Sequence, residues 1–116
     1  MGEANSKKVV TRRSACPVAC ALDLLGDRWT LLVIRDLVLG KRRYKEFAAA
    51  PEGIPTNILA ERLARLVQHG VVRQVPVEVG LRHQAYELTK KGRALRPVLK
   101  KLRDWGLAWE PDTRVA

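Results

Sequence analysis

The chain has 116 residues, of which 47% are hydrophobic and 29% charged, and its 22 lysines and arginines outweigh 12 acids to give a net charge of +10. This length is typical of one domain, and the hydrophobic share suffices for a core, which excludes a disordered chain. The sequence has no apolar run of about 18 residues to span a membrane, and its start lacks the apolar centre of a secretory signal. We therefore predict a cytoplasmic location.

The positive charge indicates a polyanionic partner. Lysines and arginines that neutralise phosphates release the condensed counterions of a nucleic acid. Charge alone leaves nucleic acid and an anionic membrane surface both open. The basic residues are spread along the chain, which favours a folded basic surface over a basic tail.

The first two predicted helices are separated by a short turn. Residues 16–25 form the first, with Pro17 suited to its first turn, and Gly26 ends it. Asp27 is predicted to cap the second helix, 28–39, which ends at Gly40. Because "RWTLLVIRDLVL" is apolar nearly all round, this second helix is predicted to be central and covered on more than one side.

The next two predicted helices form a pair. A short helix covers residues 45–50, and a connection with two prolines and a glycine follows it. Thr56 is predicted to be the N-cap of the helix 57–69, and Gly70 ends that helix. Three leucines share its inward stripe at helical spacing: Leu59, Leu63 and Leu66.

The last third of the chain predicts a hairpin and a final helix. The runs "VVRQVPVEV" and "HQAYELT", separated by "GLR", are typical of a hairpin with a basic tip. Thr89 is predicted to cap the final helix, in which Pro97 indicates a kink or a late start. The element order predicts a mainly α fold with a small β-hairpin, a winged helix-turn-helix with the hairpin as its wing.

The fourth helix has an unusual outward face. This face holds Asn57, Glu61, Ala64 and Gln68, flanked by Ala60 and Arg65. In a recognition helix, small residues permit close approach, Asn suits adenine and Arg suits guanine or phosphate, whereas a Glu accepts from cytosine but repels phosphates.

The alternative is that these are ordinary solvated positions. The basic "KRRYK" before the helix and the basic hairpin after it favour DNA contact. Arg62 lies nearer the apolar boundary, where an intramolecular ion pair and a DNA contact both stay open.

Several stretches carry a family resemblance. The stretch "CPVACALDLLGDRWTLLVIRDLVLGKRRYKEF" resembles the opening of HxlR-family regulators, with a Cys-Pro pair, a Gly-x-Lys/Arg-Trp-Thr helix start and a Gly-x-x-Arg-Phe/Tyr-x-Glu stretch. "GIPTNILAERLARLVQHGVVRQ" and "YELTKKGRALRPVLKKLRDWG" are similar to the family's recognition helix and wing exit. The wing lacks the family's Pro-Pro-x-Val-Glu-Tyr pattern. The resemblance divides the chain into a flexible basic arm (1–15), the domain (16–110) and a tail (111–116).

The resemblance implies a bacterial transcription regulator that binds a palindromic operator in double-stranded DNA as a homodimer, and we expect a repressor. It implies no cofactor, metal or membrane partner. The residues that it places at DNA are Arg43, Thr56, Asn57, Ala60, Glu61, Arg65, Arg82 and Lys90, of which Arg43, Arg82 and Lys90 lie at the phosphate backbone.

A dimer interface is expected from the first and last helices, because one recognition helix reads only a few base pairs. The candidate residues are Val18, Leu22, Leu102, Trp105 and Trp109. The alternative is that the apolar stripe of the last helix only covers the chain's own core.

Cys16 occupies the Cys-Pro position that serves as a redox-sensing thiol in some members of the resembling family. At a helix start, beside Arg12, Arg13 and Lys7, its thiolate would be stabilised by positive charge. The competing interpretation is an inert, half-buried side chain. A bond to Cys20 within one helix has poor geometry, which favours a bond across the dimer. An oxidant or a small molecule is the expected inducer.

Catalysis is not expected. His69 and His83 are the only histidines, and neither a nucleophile arrangement nor a Gly-rich phosphate loop is present. Two other binding functions stay open: a protein–protein adaptor without operator specificity, and sequence-blind binding to nucleoid DNA or RNA.

Overall fold

A computed structural model of the protein describes residues 12–76 and 84–115. The expected basic arm up to residue 11 and the tip of the expected hairpin, with Lys7, Arg82 and His83, lie outside the described residues. In chain order the elements are α1 (Pro17–Leu25), α2 (Thr30–Val38), α3 (Tyr44–Ala48), α4 (Thr56–Gln68), β1 (Val72–Pro76), β2 (Gln84–Leu88), α5 (Lys90–Arg93) and α6 (Arg96–Trp109). The predicted mainly α fold with a small hairpin is confirmed.

The core forms where α4 packs against α2. The three leucines of the α4 stripe, Leu59, Leu63 and Leu66, are at most 1% exposed. They share one cluster with residues from α2, from α3 and from the segments beside α4, namely Val33, Ile34, Leu37, Phe47, Ile54, Val71 and Val72. The inward stripe of α4 and the central place of α2 are therefore confirmed.

The turn between α1 and α2 ends one helix and caps the next. The Gly26 N–H donates to the Leu22 carbonyl at 2.8 Å. The Asp27 carboxylate accepts from the Trp29 and Thr30 N–H groups at 2.8 and 3.0 Å. Asp27 thus accepts from N–H groups at the start of α2, but the predicted cap is wrong by two residues, because the helix begins at Thr30 and its N-cap residue is Trp29.

The predicted cap of α4 is wrong by one residue. Pro55 is the N-cap, in an extended conformation with φ −60° and ψ 143°, and Thr56 is the first helical residue without a side-chain capping bond. The proline ring holds φ near the value that this conformation needs, so the helix can begin directly after it. The Thr56 side chain is consequently left at the exposed start of the helix.

The wing contains a contact that the sequence pattern did not indicate. β1 and β2 pair antiparallel, with Val72 opposite Leu88 and Pro76 opposite Gln84. Arg43, just before α3, forms an additional bridge with Ala85 of β2, and the Tyr86 N–H donates to the Arg42 carbonyl at 2.8 Å. The hairpin is thereby attached to the start of α3.

The final predicted helix consists of two helices. Thr89 caps the short α5, where its hydroxyl accepts from the Gly92 N–H, and α6 begins later with Pro97 in its first turn. The predicted late start is therefore confirmed. Gly92 is required by close packing, since a Cβ there would lie 2.2 Å from the Val71 carbonyl oxygen.

Candidate nucleic-acid interface

The outward face of α4 is an exposed ridge of polar and small side chains. We call it the polar ridge and define it as Thr56, Asn57, Ala60, Glu61, Ala64 and Gln68, all of which are exposed. Within the described ranges, no other element buries this ridge. The opposite side of the same helix is the leucine stripe of the core, so the orientation expected of a recognition helix is confirmed.

The short helix α3 and its turn set the position of α4. The Tyr44 hydroxyl donates to the Thr56 carbonyl at 2.7 Å and so joins the start of α3 to the start of α4. In the turn, Gly53 adopts a φ of +72°, a conformation that L side chains rarely take. The Arg35 guanidinium of α2 makes a bidentate pair with the Glu52 carboxylate, with N–O distances of 2.8 and 2.9 Å.

A cluster of charged side chains holds the inner flank of α4 against the α1–α2 turn. We call it the Asp27 clasp and define it as Asp27, Thr30, Arg62 and Arg65. Asp27 accepts from the Thr30 hydroxyl at 2.6 Å, from Arg62 Nε at 3.2 Å and from Arg65 Nη2 at 3.0 Å. One carboxylate therefore both accepts from N–H groups at the start of α2 and binds two arginines of α4.

Partial burial of Asp27 acts to raise the pKa of its carboxyl. Hydrogen bonds from the Thr30 hydroxyl, from the Trp29 and Thr30 N–H groups and from Arg62 act in the opposite direction. The hydrogen bonds outweigh the burial and hold the pKa of Asp27 well below its usual range. The carboxylate is consequently charged in the folded protein even in moderately acidic solution.

The expected role of Arg65 at DNA is not supported by this geometry. Arg65 Nη2 also donates to the Leu24 carbonyl at 2.8 Å, in the last turn of α1, while Arg65 Nε is buried without a hydrogen-bond partner in the described chain. Helical spacing placed Arg65 beside the outward face of α4. It could not show that Asp27 of the α1–α2 turn lies against this side of the helix and binds Arg65. Arg65 therefore binds the α1–α2 turn through its guanidinium.

The neighbouring ion pair settles the open question about Arg62. Its guanidinium contacts the carboxylates of both Asp27 and Glu61, so the intramolecular alternative is confirmed. Glu61 stays exposed on the polar ridge, but its charge is partly balanced by Arg62. The repulsion between Glu61 and phosphates that the sequence indicated is reduced by this pairing.

A basic groove lies between α3 and the wing. Arg43, Lys45, Gln74 and Gln84 are among the residues that line this space of about 700 Å³. Its edge is fixed by Glu46, whose carboxylate accepts from the Arg42 and Arg43 N–H groups at 2.9 Å each. These bonds lower the pKa of Glu46. The exposed side chain of Arg43 therefore projects from a backbone that is held on two sides.

Two of the three residues expected at the phosphate backbone belong to the described chain. Arg43 lines the groove, and Lys90 is exposed at the first position of α5, directly after the wing. Arg82 lies outside the described residues. Of the residues expected at the phosphate backbone, Arg43 thus lies beside β2 of the hairpin, and Lys90 directly follows the hairpin.

The apolar residues expected at a dimer interface are exposed. Val18 and Leu22 of α1 are 65% and 52% exposed, and Leu102, Trp105 and Trp109 of α6 are 50%, 60% and 70% exposed. The alternative, that the α6 stripe covers the chain's own core, holds for Leu95 and Leu99, which pack against the core. It does not hold for the two tryptophans.

The two cysteines differ in environment. Cys16 is exposed at the N-cap of α1 and its N–H donates to the Ser14 hydroxyl, whereas Cys20 is half-buried and its thiol donates to the Ser14 carbonyl at 3.2 Å. Arg13, which was expected beside Cys16, instead pairs with Asp23 at 2.7 Å. Cys16 is thus exposed rather than half-buried, and the Arg13 charge is directed to Asp23.

Metal-ligand clusters and membrane-length apolar helices are both absent from residues 12–76 and 84–115. These residues contain no group of three or more His, Cys, Asp or Glu side chains that could hold a metal ion. The helices in these ranges are too short or too polar to cross a membrane.

A helix pair with an exposed second helix, followed by a hairpin attached to the start of the pair, defines a winged helix-turn-helix protein. Residues 24–114 match the HxlR-like helix-turn-helix family. The chain therefore belongs to this family, and it is a helix-turn-helix transcriptional regulator.

Two curated relatives and one solved structure illustrate the similarity. The regulator sll1512 of Synechocystis is 36% identical over 110 residues, which cover 94% of this chain and 81% of the relative. YodB of Bacillus subtilis is 40% identical over 92 residues, covering 78% and 81%. The crystal structure of PA1607, a candidate transcription factor, has a TM-score of 0.80 at 46% identity and covers 90% of this chain and 73% of its own.

YodB has also been solved in several chemical states. Its reduced form has a TM-score of 0.68 at 34% identity and covers 87% of this chain and all of its own. Quinone-bound and diamide-treated forms of YodB are known as well.

We predict that Asp27→Asn lowers the free energy of unfolding at neutral pH by about 1–3 kcal/mol, because it removes the charged partner of Arg65 and one of the two carboxylates that bind Arg62. The folded-state pKa of Asp27 lies below the unfolded value of about 4, so the carboxylate's contribution is complete above that value and is lost as the pH falls below it. Urea unfolding of the wild type and of Asp27→Asn between pH 3 and pH 7 measures both effects. Each difference in the free energy of unfolding is expected to be on the order of a few tenths to a few kcal/mol.

The matched control is Asp23→Asn, which removes an exposed carboxylate whose ion pair within the described residues is with Arg13. It is expected to cost at most about 1 kcal/mol. The interpretation is wrong if the two variants have equal stability, or if Asp27→Asn loses stability in acid as steeply as the wild type.

Proposed function

We propose that the protein is a sequence-specific repressor that binds a palindromic operator as a homodimer, with α4 in the major groove. The observation that carries this proposal is the polar ridge, which is exposed along the whole of α4 while both flanking arginines are bound inward. A ridge with small side chains permits the close backbone approach that base reading needs.

Within the polar ridge, the N-terminal residues are proposed to reach the base edges. Asn57 carries an amide that suits the N6 and N7 groups of adenine, and Thr56 offers a hydroxyl that no capping bond uses. Ala60 permits close approach, and Glu61, with Arg62 beside it, is placed to accept from cytosine N4. Arg65 has no part in the proposal, because the Asp27 clasp binds its guanidinium.

The phosphate contacts are proposed to come from Arg43 and Lys90, and from Arg82 of the expected wing tip. The support for Arg43 is its place in the basic groove and the two hydrogen bonds that Glu46 accepts from the adjacent backbone. A backbone held in this way lowers the entropy cost of presenting a cation to a phosphate. These contacts position the protein on DNA without reading sequence.

We predict different effects from one ridge residue and one groove residue. Asn57→Ala is expected to cost about 1–3 kcal/mol at the operator and to relax specificity at one base position. Arg43→Ala is expected to weaken binding to all sequences alike and to reduce the salt slope by about 0.9. Footprinting on the DNA upstream of the protein's own coding sequence, followed by titrations at several salt concentrations, measures these effects.

Arg103→Ala is the charge-matched control, because Arg103 is exposed on α6 and pairs with Asp104, far along the chain from the groove. It should leave affinity and salt slope nearly unchanged. A protein–protein adaptor predicts no footprint and little salt dependence, and sequence-blind binding predicts a salt slope without a footprint. Either result would exclude the operator proposal.

The homodimer is proposed to form through the exposed apolar residues of α1 and α6. Val18 and Leu22 are one turn apart on α1, and Trp105 and Trp109 are one turn apart on α6. Exposed aromatic side chains of this size are typical of interface centres. A two-fold axis between two such surfaces would place two copies of α4 on successive half-sites of DNA.

We predict that the wild type is a dimer at micromolar concentration and that Trp105→Glu weakens the dimer by about 2 kcal/mol or more, since a charge would enter an apolar contact. Sedimentation velocity measures the change. Leu39→Glu is the control, because Leu39 is 66% exposed but lies on neither helix of the proposed interface. A monomeric wild type, or an equal effect of both variants, would contradict the proposed interface.

Cys16 is proposed to be the oxidant-sensitive group. Its exposure permits attack by an oxidant, and its family relative YodB is known in quinone-bound and diamide-treated forms. In a dimer, two cysteine thiols give up two protons and two electrons to diamide, which becomes its hydrazine, and a disulfide joins the protomers.

We predict that diamide converts the wild type to a covalent dimer and changes its DNA affinity, and that Cys16→Ser abolishes both responses. Non-reducing electrophoresis and the DNA titration above measure them. Cys20→Ser is the control for loss of the half-buried thiol. If Cys16→Ser responds to diamide as the wild type does, Cys16 is an inert side chain.

A further inference from the structure

A cavity lies on the flank of α1, and it shares no lining residue with the basic groove. Its volume is about 550 Å³, which is in the range of small-molecule sites. The wall combines three segments: α1, the junction between α4 and β1, and the α5–α6 region. The proposed dimer residues Val18 and Leu22 do not belong to this wall.

The inner wall of the cavity is apolar. Leu24 and Leu25 of α1, Val71 after α4, and Leu95 before α6 form it, and all four belong to or pack against the hydrophobic core. Such a wall gains free energy by covering the apolar part of a ligand, at about 25 cal/mol per Å². It does not select a charged ligand by itself.

The rim of the cavity is basic. Arg12 and Lys91 contribute two cations, and the Lys91 ammonium is held by a 2.9 Å bond to the His69 carbonyl. An ammonium has three donors, so two remain for a ligand. The one acid of the rim, Asp23, is neutralised by Arg13. An apolar floor below a cationic rim is complementary to an amphipathic organic anion.

We propose that this cavity is a binding site for a small aromatic carboxylate and that its occupation changes DNA affinity. The second half of the proposal depends on the proposed function. The ligand's ring would lie against Leu24 and Val71, and its carboxylate would lie between Arg12 and Lys91.

Leu24 connects the cavity to α4. Its side chain belongs to the cavity wall, while its main-chain carbonyl accepts from Arg65 Nη2 at 2.8 Å. His69, directly after α4, belongs to the same wall. A ligand that moves the last turn of α1 therefore changes the hydrogen bond between Leu24 and Arg65 of the Asp27 clasp. The position of α4 would change with it.

The experiment uses 2-naphthoate as the probe and 2-naphthamide as its neutral counterpart, titrated into the full chain in a calorimeter. The carboxylate is expected to bind about tenfold more tightly than the amide, because a charged hydrogen bond is about twice as strong as a neutral one. Lys91→Gln should weaken 2-naphthoate about three- to fivefold. Ala21→Phe, which adds a ring at the exposed part of the wall, should weaken it more than about tenfold.

Two controls match these variants. Lys101→Gln removes an exposed lysine of α6, and Ala49→Phe adds a ring at an exposed alanine after α3, and neither position lines the cavity. Equal affinity for carboxylate and amide, or unchanged binding by Ala21→Phe, would overturn the site. The probe would then lie elsewhere, for example on the exposed apolar side chains of α6.

The effect on DNA is measured separately. Saturating 2-naphthoate is expected to change the affinity for the footprinted DNA at least about threefold in the wild type and not in Ala21→Phe. Binding of the probe without a change in DNA affinity would overturn the proposed coupling, whereas the proposed binding site would stand. If the chain binds the probe but no DNA, the proposed function is overturned and the proposed binding site stands.

Discussion

The carboxylate of Asp27 determines the position of α4 against the rest of the fold. Asp27 accepts hydrogen bonds from N–H groups at the start of α2, binds Arg62 and Arg65 of α4, and lies in the turn that follows α1. The leucine stripe alone would hold α4 against the core but would leave rotation about its axis restrained only by packing. Charged hydrogen bonds on one flank add direction to that restraint. The polar ridge faces outward because its opposite side is apolar and its flank is bound.

The same contacts determine which cations are available to a polyanion. The chain carries a net charge of +10, yet two arginines of α4 and Arg35 are bound to carboxylates inside the protein. The charge directed outward near α4 therefore comes from neighbouring elements, such as Arg43 and Lys45 beside the wing. In the proposed complex with DNA, this division would separate base reading on the polar ridge from phosphate attraction in the groove, as is typical of proteins that bind DNA with specificity.

Local patterns predicted the elements, and tertiary contacts explain what they missed. Helical spacing located the buried Leu59 and Leu63, and turn residues located the ends of the helices. The inward direction of the Arg65 side chain depends on Asp27, which is 38 residues away in the sequence. Helical periodicity relates neighbouring residues and cannot predict a contact at that separation. The Arg43–Ala85 bridge was missed for the same reason, because a single pair of residues has no strand pattern. The family resemblance supplied the function but not the direction of the Arg65 side chain.

Helix α1 has a direct hydrogen bond to α4 and carries three features that could receive a signal. It carries Cys16 at its start, the exposed Val18 and Leu22 on one face, and the cavity wall on another. Its last turn offers the Leu24 carbonyl to Arg65. Because Arg65 Nε has no hydrogen-bond partner in this arrangement, its guanidinium is incompletely satisfied and the free-energy cost of a rearranged clasp is reduced. A rearrangement of the last turn of α1 would thus reach α4 through this hydrogen bond.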